Sequence, residues 1–77
     1  MRMELSQFIE KFAEQFDNTP KSSFAATTDF KQLEEWDSLI SLSVISMVDD
    51  ELGKRITGAD IRSCATIADL HKLVESK

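Results

Sequence analysis

The stretch Asp37-Ser38-Leu39-Ile40-Ser41-Leu42-Ser43-Val44-Ile45-Ser46-Met47-Val48-Asp49-Asp50-Glu51-Leu52-Gly53 decides the fold. Both of its ends carry helix punctuation. Asp37 suits an N-cap, because its carboxylate can accept from the first free backbone N–H groups. Gly53 suits the left-handed residue that closes a helix. Between them Leu42, Val44, Ile45, Val48 and Leu52 fall within one arc of roughly 160° at helical spacing, the expected core face. Leu39 to Val48 is the most apolar run of the chain, yet it is too short to span a bilayer and holds serines at 41, 43 and 46.

Working outward toward the N-terminus, residues 17–36 show no sustained period. Ser22-Ser23 and Thr27-Thr28 read as loop, but Phe24, Phe30, Leu33 and Trp36 are too apolar for a free linker. A connection this long is uncommon in a small domain, and the spaced aromatics favour a loop pinned against the core. Before it, Leu5, Phe8, Ile9, Phe12, Ala13 and Phe16 recur at intervals of three and four, which predicts a helix over about 4–16. Asp17-Asn18-Thr19-Pro20 ends that helix, since the residue before proline avoids the helical region.

On the C-terminal side Ile56 is an apolar anchor, and residues 57–62 are expected to form a short helical turn. Thr66-Ile67-Ala68-Asp69 reads as an N-cap with an acid three residues on. Ile67, Leu70, Leu73 and Val74 then define a last helix. No segment alternates with the period of a strand. The expected fold is all-α: a small four-helix bundle of three main helices and one short one, with a long loop between the first and second. Residues 1–77 are read as one domain, with Arg2 in a frayed end.

Composition narrows the function. With 14 acids against 9 bases the formal net charge is −5. That balance disfavours nucleic acid and anionic membrane surfaces, both of which call for clustered Lys and Arg. A single cysteine, Cys64, allows no internal disulfide and no zinc-finger spacing, and is expected to be a small buried hydrophobe. With no opening stretch that reads as a signal peptide, a cytoplasmic protein is expected. The lone His71 reads as a partly exposed structural residue. There is no glycine-rich phosphate loop, no metal-ligand spacing and no G-x-S-x-G elbow, so an independent enzyme is not expected. The acidity is uneven: residues 37–53 hold four acids and no base, while residues 54–77 carry a net charge of +2.

Ser38 is the exception among otherwise unremarkable side chains. It occupies the first helical position after the capping Asp37, where unpaired N–H groups and the positive end of the helix dipole favour an anion, in particular a phosphate ester. On these two residues alone the simpler account is an ordinary helix start.

The wider pattern changes that account. Asp37-Ser38-Leu39 opens the helix, Asp49-Asp50-Glu51-Leu52-Gly53 closes it, Ile56 follows, and Thr66-Ile67-Ala68-Asp69-Leu70 starts the last one. Over about residues 5–75 the chain resembles the acyl carrier protein family. In that family the serine of a D-S-L motif takes 4′-phosphopantetheine from coenzyme A, and the thiol at its tip carries acyl chains as thioesters. The resemblance implies that Ser38 is the attachment site, with Asp37 before it and Leu39 after it. It also implies a non-catalytic, monomeric carrier handled by a phosphopantetheinyl transferase, with Mg²⁺ in that reaction, and by acyl-loading and acyl-transferring enzymes.

The departures point to a specialised pathway. Many fatty-acid carriers have glycine before the D-S-L motif and acids at the third and sixth positions after the aspartate; here those positions hold Trp36, Ile40 and Ser43. Nor does Glu35-Trp36-Asp37-Ser38 match the G-G-x-S type of peptidyl carriers. The expected partner-facing set is Asp37, Leu39, Ile40, Ser43, Met47 and Asp50. Within it Ile40 and Met47, seven residues apart, are expected to form an apolar recognition strip; the competing reading has them extend the core. Fatty-acid, polyketide and related biosynthesis all remain open, and the alternative is a carrier-like interaction module that works unmodified.

Overall fold

A computed structural model describes residues 3–77, so the expectation for Arg2 lies outside the described residues. Local chemistry starts and stops each helix. Helix α1 spans Leu5–Ala13, α2 Ser38–Leu52, α3 Gly58–Arg62 and α4 Ile67–Glu75, with single turns of 3-10 helix at Lys21–Ser23 and Phe30–Gln32. No strand occurs among the described residues. The all-α bundle and its long first connection are thus as expected.

α1 ends three residues earlier than its apolar period suggests. The amides of Gln15 and Phe16 bond to the carbonyls of Phe12 and Ala13, a tighter turn that still keeps Phe16 on the buried face. α2 starts where Asp37 Oδ1 accepts from the Ile40 amide at 2.9 Å. It ends at Gly53, whose φ of 64° is the only positive one among the described residues. Thr66 and Asp69 exchange reciprocal capping bonds at the start of α4. Thr57 and Asp60 do the same at the start of α3, a pairing the sequence reading did not single out.

α1 packs against α2 and α4, and α3 bridges α2 and α4. The phenylalanine stripe is at the centre of the core. Phe12 is fully buried, and its ring centroid lies 5.3–6.4 Å from those of Phe8, Phe16, Phe24, Phe30 and Trp36. Three of those five rings come from the long connection, which explains why residues 17–36 hold together without a period. Backbone bonds secure it too. The carbonyls of Thr28 and Ala26 accept from the amides of Ile67 and Ala68, satisfying two orphan donors at the start of α4.

The buried face of α2 differs from the expected arc. Ile40, Val44, Met47 and Val48 are buried, Ile45 and Leu52 are partly so, and Leu42 is 61% exposed. The four buried residues fit within an arc of about 100°. Apolar residues run almost all the way round α2, so periodicity alone does not choose a face. The neighbouring elements choose it. Consequently the expected surface strip of Ile40 and Met47 is corrected: they are 8% and 5% exposed and belong to the core. Cys64 is buried, as expected, and burial pushes its thiol pKa up. His71 is partly exposed and structural, its Nε2 2.7 Å from the Met3 carbonyl oxygen.

Candidate functional site

Ser38 is exposed at the first position of α2. Its position is fixed from both sides. Downstream, Asp37 caps the helix through Ile40. Upstream, Trp36 is stacked on Phe12 with the ring planes 6° apart and lies edge-on to Phe30 at 5.0 Å. One residue, Asp37, therefore separates a ring packed against the core from the residue that carries the hydroxyl. Among the described residues, the amides of Ser38 and Leu39 have no acceptor and the Ser38 hydroxyl makes no hydrogen bond.

Glu35, which sequence reasoning passed over, anchors the same loop. Its carboxylate accepts from the amides of Asp17 at 2.8 Å, Asn18 at 3.0 Å and Thr19 at 3.0 Å, and from the Thr19 hydroxyl at 2.7 Å. One carboxylate thereby ties the end of the long connection back to its beginning, three residues before Ser38. The Thr19 hydroxyl bond, with the backbone bonds behind it, holds the Glu35 pKa below its ordinary value of 4.5. A solitary Glu in a loop carries no sequence signal of such a role, because its donors are sixteen to eighteen positions away.

Two surface depressions flank Ser38. The first, a cleft of about 270 Å³, has Trp36, Ser38 and Ser41 on one side and Gly58 and Ile61 on the other, with Lys31, Arg62 and Asp37 as its charged groups. The second, a groove of about 350 Å³ between α1 and α2, is lined by Leu39, Leu42, Ser43, Met47 and Asp50, with Lys11 facing them. Of the expected partner-facing residues, the structure brings Leu39, Ser43, Met47 and Asp50 to the groove and Asp37 to the cleft. Ile40 lines neither. Among the described residues the exposed large apolar side chains are Leu39, at 70%, and Leu42. Leu42 was missed because helical spacing put it on the core arc.

The acids of α2 cluster at its far end, where Glu51 lies 3.7 Å from Lys11 across the groove. Such an exposed pair contributes about 0–1 kcal/mol, so it frames the groove more than it holds α1 to α2. The donor set around Ser38 suits a phosphate ester: an exposed, unengaged hydroxyl, two free amides and two cationic side chains. No helix among the described residues is long and apolar enough to cross a membrane.

Comparison with known families finds a match to the family described as the phosphopantetheine attachment site, over residues 6–74. That range runs from the first turn of α1 through α4 to its penultimate residue. Comparison with curated proteins and with solved structures finds no match.

Proposed function

Because this chain belongs to the phosphopantetheine attachment-site family, whose members are in general non-catalytic carriers of a covalent 4′-phosphopantetheine, we propose that it is an acyl carrier protein bearing that arm on Ser38. The observation that carries the reading is the state of Ser38: an exposed hydroxyl without a hydrogen bond, at the start of α2 and inside the matched range. Asp37, Trp36 and Glu35 hold the backbone on either side of it. The arm supplies a terminal thiol on which acyl groups travel as thioesters. Everything else is orientation and address, which is what a small helical bundle can provide.

A phosphopantetheinyl transferase with coenzyme A and Mg²⁺ installs the arm. Acyl-loading and acyl-transferring enzymes of fatty-acid, polyketide or related biosynthesis then use the carrier, as a monomer in the cytoplasm. These partners approach over Leu39, Leu42, Ser43 and Asp50. The clustered Asp49, Asp50 and Glu51 attract basic surfaces at long range, and the two leucines discriminate near the tether.

The test is intact mass after incubation with coenzyme A, Mg²⁺ and a broad-specificity transferase. The expected result is one phosphopantetheine adduct on the parent protein and none on Ser38→Ala. An unmodified parent protein would favour an interaction module that works without the arm.

A further inference from the structure

We propose that Lys31 and Arg62 form a cationic clamp that pairs with the phosphodiester of the arm on Ser38 and draws the first part of that arm into the cleft between α2 and α3. The inference rests on the attachment reading above and goes beyond it. It assigns a resting place to a group that would otherwise swing free.

Ser38, Lys31 and Arg62 line one cleft, although they come from α2, the long connection and α3. Neither cation is neutralised. Among the described residues Lys31 and Arg62 take part in no ion pair with a carboxylate. Lys31 Nζ donates one bond, to the Arg62 carbonyl at 2.9 Å, leaving two ammonium donors. The same ammonium lies 5.9 Å from the centroid of the buried Phe30 ring, which further restricts it.

Arg62 is exposed, and its guanidinium folds over the start of α3, where Nη1 would lie 3.2 Å from a Cβ on Gly58; Gly58 itself lines the cleft. The only carboxylate lining the cleft is Asp37, and its Oδ1 is engaged by the Ile40 amide. Two cations against one anion leave a formal charge of +1, which a singly charged phosphodiester balances. Because Lys31 is already positioned by its bond to the Arg62 carbonyl, only the Arg62 side chain has to be ordered in closing on the phosphate. The bond from Lys31 Nζ to the Arg62 carbonyl also ties the loop that carries one cation to the end of α3 that carries the other.

The experiment uses the ¹⁵N-labelled protein before and after arm transfer, with intact mass first confirming the adduct. The expected result is that amide resonances of Lys31, Gly58, Ile61 and Arg62 shift on conversion, together with those flanking Ser38. Molar salt is expected to return the distant shifts toward their starting positions, as it screens an exposed pair. In Lys31→Gln/Arg62→Gln, and in Arg62→Gln alone, where the Lys31 bond to the backbone carbonyl is retained, the adduct still forms but the shifts at 58–61 are lost. Shifts confined to residues 37–41 of the parent protein, or shifts at 58–61 that survive in both variants, overturn the clamp. Failure of the parent to gain the adduct at all overturns the attachment reading, and the clamp with it.

Discussion

Replacing Ile40 and Leu39 separately by alanine tests which flank of α2 is core. The two are neighbours on one helix and chemically alike, yet Ile40 is 8% exposed and Leu39 70%. Truncating a buried isoleucine removes its transfer free energy and leaves a cavity, together about 2–5 kcal/mol. In a domain of this size each kcal/mol moves Tm by about 4–8 °C. Ile40→Ala is therefore expected to lower Tm by about 8–40 °C. Leu39→Ala removes an exposed side chain and is expected to change stability by no more than about 0.5 kcal/mol, or roughly 3 °C. Thermal unfolding followed by circular dichroism at 222 nm reads both. A second measurement, phosphopantetheine transfer well below either midpoint, separates folding from recognition: Leu39→Ala is expected to slow transfer, and Ile40→Ala to leave it close to the parent rate. Equal Tm values for the two variants would refute the assignment of α2's faces. Slowed transfer in a folded Ile40→Ala would restore Ile40 to the partner surface.

Two other outcomes follow from single residues. Glu35 has its folded pKa depressed below 4.5, so its stabilising contribution is present above that value and lost as pH falls through the depressed folded one. Glu35→Gln is accordingly expected to lower Tm at pH 7, with the gap closing as pH falls below 4.5 and through the depressed folded value; a gap that widens with acid would contradict the bonding described for the loop. At Gly53, with a φ of 64° and nothing within 4 Å of an added Cβ, alanine meets backbone strain and no steric clash, costing about 1 kcal/mol. The measurable result is a Tm lower by about 4–8 °C in Gly53→Ala, with a smaller drop for Gly53→Asn.

Much of this architecture is legible in the chain because helix punctuation is local. Asp37 reaches the amide of Ile40, and Thr66 and Asp69 bond to each other, all across three residues. Such pairs are visible wherever the spacing is right. The same holds for Phe8, Phe12 and Phe16, whose intervals of four residues return them to the buried side of α1 and of the turn that follows it. The loop of 17–36 was legible only in part. Its aromatics indicated burial, but the bonds that shape it join Glu35 to Asp17, Asn18 and Thr19, and Thr28 to Ile67, with no periodic relation between partners.

The sequence by itself determined that the chain forms helices, where all but the end of α1 are punctuated, and that Ser38 stands at the head of the longest. Each of these depends on contacts within one turn of the chain. Only the tertiary structure decided which flank of α2 is buried, because a helix with apolar residues on nearly every side has no preferred face until α1, α3 and the loop are packed against it. The same packing turned Leu42 outward and Ile40 inward. It also brought Lys31 and Arg62, thirty-one positions apart, to the cleft that holds Ser38.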